Sequence, residues 1–507
     1  MIKIVTVIFF FIIFQAVAVK NLTIEFKINS QDLIDNKVEN IFEFTDEFGK
    51  KIISIFYLFF WQTTRASNSF GITFSVHPDF MQNVSENNYS YNNPFVDSTG
   101  NGLMVQDRDL YTYPLSTKQQ VFLSKYDLVN NVFVNLNISP FSPYYTYSND
   151  TILSGDRKNI TSNIFPTLTE NTPGVIQSYL LYKDYICLSV LVDAAHDLVT
   201  GTGFCAIKLY KLNTDRWLFL WASRLQDDDD YPYCIAYQSN AFIFCTHLGW
   251  IYSVSESGGI KNIKLNYEKI SNQVYCALKV NGEMLYGHYP SGRIHSITDT
   301  QQIDTMEPPI LNPVGSNERE LMAMCLYAGS IYAGIWPWGE VYRKNINTSV
   351  WSQAMRCFSK PAFNQLIEAP YADTVREKGW TLDYNEFGQR VYQMLLFDEY
   401  LFMSTCGKDG YFRDSWNEAE GDSDIDLNEY GKIHSIRING QYTFYLDPLN
   451  DFTTIKIEIL NTSGNINFYI NNILSKTLEN CVVNIPDNYN FKFFNYSNPT
   501  NVSLSSD

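Results

Sequence analysis

Charge is scarce in this chain, and positive charge is scarcer. Of 507 residues 18% are charged, with 37 Lys and Arg against 54 Asp and Glu, for a net charge of −17. That sign repels phosphate backbones and anionic lipid, which argues against nucleic acid as a partner. Only six His and nine Cys occur. C-x-x-C is absent, so neither a zinc pattern nor a close-spaced disulfide framework is present. There is no G-x-S-x-G elbow, no H-E-x-x-H, no Walker A loop and no dinucleotide fingerprint after a strand. No apolar run reaches the ~20 residues that cross a bilayer; residues 52–61 make about half a span. Apolar residues at 45% and aromatic residues at 16% are plentiful. That excludes a disordered chain, and a chain this long buries roughly three quarters of its unfolded surface.

The N-terminus carries a targeting signal. Met1-Ile2-Lys3 is a short basic start, residues 4–14 are almost wholly apolar, and Ala16-Val17-Ala18 has the small-x-small form of a cleavage site. Residues 1–18 read as a secretory signal peptide. The mature chain is then expected outside the cell or in the secretory lumen, with no transmembrane segment after cleavage. Ten N-x-S/T sequons agree, at Asn21, Asn83, Asn88, Asn137, Asn149, Asn159, Asn347, Asn461, Asn495 and Asn501, and are candidate glycosylation sites.

The middle of the chain repeats. Residues 233–244, 275–286, 322–333 and 392–403 superpose, each an apolar run, a short turn and a second apolar run. The turns Ser239-Asn240, Asn281-Gly282, Ala328-Gly329 and Asp398-Glu399 fall at one register. Asn-Gly suits a type I′ hairpin, because both residues accept positive φ. A third strand follows in each copy behind Gly249, Gly292, Gly339 or Gly431, where glycine lets the chain turn tightly. A weaker copy turns at Lys183-Asp184. Aromatic–turn–aromatic segments at 126–133 and 210–217 suggest a further outer strand. In this register Cys234 and Cys245 face each other at a hydrogen-bonded pair, which favours two buried thiols over a disulfide.

Four strands every ~40–50 residues is the period of a β-propeller blade. The aromatic–turn–Trp strands resemble the outer strands of kelch-type repeats, and residues 103–446 as a whole resemble a kelch- or sialidase-like propeller. The expected fold is all-β: a propeller of about six four-stranded blades with β-rich extensions at both ends. The expected organisation is a signal peptide at 1–18, a β-rich segment at 19–102, the propeller at 103–446 and a second β-rich segment at 447–507. Residues 466–473 resemble the strand–turn of a laminin-G-like sandwich. Residues 352–389 read as a partly helical insertion.

Loops before the repeat glycine differ most between copies, so they are the candidate ligand loops. His247, Trp250, His288, Tyr289, Trp336 and Trp338 lie there or beside them, and aromatic faces suit the apolar side of a sugar ring. The opposing expectation is that these rings fill seams between blades. Asp422, Asp424, Asp426 and Glu429 space carboxylates through one loop, a candidate Ca²⁺ site, against a solvated acidic loop; no other cofactor is expected. His295 and His434 occupy equivalent repeat positions, with Tyr252 and Tyr342 in other copies, which argues for a structural role. The sequence therefore reads as an extracellular recognition module for a glycan or protein ligand. The alternatives are a secreted sialidase-like glycoside hydrolase or lyase, and a structural matrix glycoprotein.

Overall fold

A computed structural model describes the chain from Lys20 to Ser506, except for 30–39, 59–60, 63–70, 96–99, 107–108, 116–122, 137–143, 149–150, 156–158, 163–167, 170–174, 183–184, 193–203, 212–215, 224–231, 239–240, 247, 256–259, 265–272, 290–291, 298–302, 307–319, 349, 361–387, 408–424, 446–451 and 494–497. The signal segment therefore lies outside the described residues, as do 361–387 of the expected insertion. Among the described residues there is no α-helix, only strands and two 3₁₀ turns, and Trp351–Arg356 of that insertion is a strand.

Among the described residues seven antiparallel sheets of the repeat type follow one another, spanning 101–135, 144–169, 175–223, 232–264, 274–306, 320–356 and 390–438. In each the strands run in sequence order from the first outward. The first strand of every sheet packs against the first strand of the next, and Arg390–Phe397 packs against Asn101–Gln106, so the sheets close into a ring of blades. The last blade is completed from far away. Its outermost strand is Glu86–Tyr91, antiparallel to Ile433–Ile438. Tyr91 then joins the seam to blade one, where its hydroxyl meets Asn131 Oδ1 at 2.8 Å and Ser435 Oγ at 3.2 Å.

The sheet at 144–169 did not stand out as a repeat in the sequence, because it has Thr, Asn and Tyr where its neighbours have apolar runs. Elsewhere the local signals hold. Asn281 and Gly282 have φ of 54° and 85°, as a type I′ turn requires. All four repeat glycines lie in the left-handed region, at 80°, 64°, 59° and 74° for Gly249, Gly292, Gly339 and Gly431. At Gly339 a Cβ would also fall 2.4 Å from the Phe358 ring, so the position tolerates no side chain. Tyr126 pairs with Phe133, and Tyr210 with Trp217, across the third and fourth strands. Cys234 stands opposite Cys245, and both are buried thiols not joined in a disulfide.

Both ends of the chain meet in a sandwich. One five-stranded sheet sets Lys20–Asn29 between Phe452–Leu460 and Asn498–Ser506; the other sets Gly71–Val76 between Lys51–Leu58 and Gln441–Tyr445. The two sheets share a core in which the Phe74 and Phe468 rings meet edge-on at 4.9 Å. The ring is thus inserted between neighbouring strands of the sandwich, since Ser75 pairs with Gln441.

The sandwich sits on the face where first strands turn into second strands. Lys51 Nζ donates to Asn281 Oδ1 at 2.7 Å in blade five. His77 Nε2 lies 3.0 Å from Asn345 Oδ1 in blade six. In blade seven Lys476 Nζ reaches Asp398 at 2.9 Å and Glu399 at 2.9 Å. Connections between second and third strands emerge on the opposite face, because successive antiparallel strands reverse direction.

Candidate functional site

That opposite face carries the loops that differ between copies. In blade six the connection is Trp336-Pro337-Trp338-Gly339, and it pairs with the residues entering blade seven. Gln389 N donates to Pro337 O at 2.9 Å, and Gly339 N to Gln389 O at 3.1 Å. The two tryptophans pack against different neighbours. Trp336 packs with Tyr275, Tyr289 and Met322 toward blade five. The ring of Trp338 is covered by Arg356, whose guanidinium carbon lies 5.1 Å from its centroid and whose Nε donates to Trp338 O at 3.2 Å. Both tryptophans are buried, at 1% and 2% exposure.

The other expected ligand residues are placed as follows. His288 is fully buried, its ring 5.0 Å from that of His295 in an edge contact. Tyr289 is buried against Trp336, with centroids 6.2 Å apart. Trp250 is half-buried and stacks on Tyr252 at 5.9 Å. His247 lies outside the described residues. Tyr289 and Trp336 thus fill the seam between blades five and six, while His288 and Trp338 are covered by His295 and Arg356 of their own blades, and none of the four forms the open stacking platform expected of them.

The sequence reading missed a set of polar and aromatic groups at this end of the inner strands. At the start of the inner strands of blades six and seven, Arg390 Nη2 donates to Glu320 Oε2 at 2.9 Å and Oε1 at 3.3 Å. Burial works against charge on Arg390, and the Glu320 carboxylate overcomes it, so the guanidinium titrates above its ordinary range. Tyr275 and Tyr392 stand beside this pair on neighbouring inner strands, Tyr275 buried and Tyr392 half-buried. The signal for these tyrosines was present, since both open the repeat at one register.

The acidic loop is used structurally where it is described. Asp426 Oδ1 accepts from Asn428 N at 3.0 Å and caps the turn Leu427–Glu429. Both carboxylate oxygens of Glu429 accept from Ser359 N at 2.9 Å, which ties the loop of blade seven to the exit of blade six. Asp422 and Asp424 lie outside the described residues, and no cluster of three or more metal-ligating side chains occurs among those described.

Proton chemistry is withheld from the other reactive groups. Burial lowers the pKa of His288 to about 3, helped by His295, and those of His295 and His434 to about 4, so all three are neutral at pH 7. Burial raises the thiols of Cys245 and Cys276 well above their ordinary value. Neither group is placed to act as a base or nucleophile.

Two sequons are open, at Asn83 and Asn88. Asn461 is a correction to the glycosylation reading. Its Nδ2, the atom a glycan would occupy, donates to Lys20 O and Val483 O at 2.8 Å each, and its Oδ1 accepts from Val483 N at 2.8 Å. At Asn347 the side-chain nitrogen is likewise enclosed. Asn21 is half-buried. Asn137, Asn149 and Asn495 lie outside the described residues, and the side chains of Asn159 and Asn501 do too.

Ring and sandwich together define a β-propeller protein with one face covered by its own termini. No protein-family model matches the sequence, and neither does any curated protein. Among solved structures the chain is similar to a virginiamycin B lyase from Staphylococcus aureus, at 13% identity over 70% of this chain and 99% of that one, with a TM-score of 0.44. It is also similar to the Swd1 propeller domain of Myceliophteria thermophila, at 11% identity over 70% and 99%, with a TM-score of 0.42. An oligogalacturonate lyase from Vibrio parahaemolyticus matches at 10% identity over 75% and 97%, with a TM-score of 0.41. These are likenesses of fold and say nothing of chemistry.

Proposed function

We propose that the protein is a secreted, N-glycosylated recognition module that takes a carbohydrate on the face opposite the sandwich. One observation carries the reading: the sandwich occupies the ring on the side of Asn281, Asn345 and Asp398, which leaves the variable loops on the other side. At that end of the inner strands the half-buried Tyr392 stands next to the Glu320–Arg390 pair, and a phenol face with fixed polar groups nearby is the combination that sugar ring faces and hydroxyls require. The signal-like N-terminus and the open Asn83 and Asn88 support secretion and glycosylation. The cross-strand pairs Tyr126–Phe133 and Tyr210–Trp217 support a kelch-type ring.

The secreted full chain, tested on a glycan array and in a surface-protein pull-down, is expected to bind glycan. Tyr392→Ala is expected to weaken that binding about tenfold or more while the melting temperature stays within a few degrees. Capture of a protein in place of a glycan overturns the ligand class, and no ligand in either assay overturns the reading. Turnover of chromogenic glycosides, abolished by Glu320→Gln, would establish the hydrolase instead.

A further inference from the structure

The innermost strand of a propeller blade leaves one edge toward the central channel. In blade five that edge is taken. A short strand, Trp61–Gln62, pairs antiparallel with Val274–Val280, with Gln62 opposite Cys276 and Trp61 opposite Ala277. It also packs beside the inner strands of blades four and six, Pro232–Gln238 and Glu320–Tyr327. This added strand belongs to the sandwich. The strands on either side of it in sequence, Lys51–Leu58 and Gly71–Val76, are direct partners with Leu58 opposite Gly71. A two-residue turn would join them, yet residues 59–70 intervene.

The register fixes which groups are engaged. Asn281 and Gly282 form a two-residue turn, so Val280–Glu283, Leu278–Leu285 and Cys276–Gly287 are the hydrogen-bonded pairs of that hairpin. Alternation then turns the N–H and C=O of Ala277 to the opposite edge, where Trp61 stands. An unpaired strand edge is a template for another extended chain.

We infer that the channel edge of Val274–Val280 is a strand-binding site, and that the protein fills it with its own residues 61–62 as a tethered ligand. The occupied edge denies this strand of blade five to any other extended peptide. The inference stands on backbone pairing and does not depend on what the open face binds.

The test replaces residues 59–70 with Asn-Gly in the otherwise full chain and follows hydrogen–deuterium exchange across 274–280. The Ala277 amide is expected to exchange about tenfold faster or more, the effect of losing one net backbone hydrogen bond. A synthetic peptide of residues 57–66 added in trans is expected to slow it again. Trp61→Pro in the intact chain removes the Trp61 N–H that donates to Ala277 O without changing loop length, but keeps the carbonyl that accepts from the Ala277 N–H, and is expected to give a smaller acceleration. Unchanged exchange at Ala277 in the folded loop-replacement variant overturns the inference, and so does a peptide that restores no protection.

Discussion

The ring of His77 occupies the space where Gly329 would carry a side chain: a Cβ on Gly329 would lie 2.1 Å from His77 Cδ2. Gly329 is also left-handed, with φ of 68°. One residue from the sandwich side and one blade turn are therefore fitted to each other. Gly329→Ala is expected to cost about 2–4 kcal/mol in denaturant unfolding, from overlap and backbone strain together. Adding His77→Ala should recover the overlap and leave about 1 kcal/mol of strain, a coupling readable in a double-mutant cycle.

Acid should destabilise the fold well before its carboxylates protonate. Burial holds His288 at about 3 and His295 and His434 at about 4. In the unfolded chain each titrates near 6.5. Their contribution is present above that value and is lost as pH falls from about 6.5 toward 4, because the unfolded chain takes up protons the fold refuses. At pH 5 the loss is about 2 kcal/mol per histidine. Melting temperature should hold from pH 8 to 7 and drop by pH 5. His434→Tyr, the residue that blades four and six use at this position, should shrink the difference between pH 7 and pH 5.

The Glu320–Arg390 pair should behave as a buried ion pair. Arg390→Met leaves a carboxylate at 2% exposure without its cation and is expected to cost about 3–5 kcal/mol. The double variant with Glu320→Leu should be more stable than the single one. An additive result in urea unfolding would show the two groups to be uncoupled.

Site-by-site mass spectrometry of the secreted protein is expected to find glycan at Asn83 and Asn88 and none at Asn461. Asn461→Ala should cost about 2–3 kcal/mol, because it strands three buried backbone partners. Occupancy at Asn461 in folded protein would contradict the hydrogen bonds that hold it.

Features set by a residue's immediate neighbours were legible in the sequence. Gly292 and Gly431 declare a left-handed turn by being glycine in front of a strand, and Asn281-Gly282 declares a hairpin in the same way. The blade at 144–169 was not legible, since Thr and Asn do not distinguish a strand from a loop. Glu86–Tyr91 was not legible either: it is polar, and only Ile433–Ile438, far along the chain, makes it a strand. The candidate site was half legible. Register aligned Tyr275 with Tyr392, but sequence could not say that Trp338 would lie beneath Arg356.

Closing the last blade with an early strand has a consequence for synthesis. Tyr91 and Ser435 meet in the finished seam but are 344 residues apart. At about 5–20 residues per second, translation separates their emergence by roughly 20–70 seconds. For that interval the nascent chain holds an incomplete circle, and Glu86–Tyr91 has no partner strand until Ile433–Ile438 has left the ribosome.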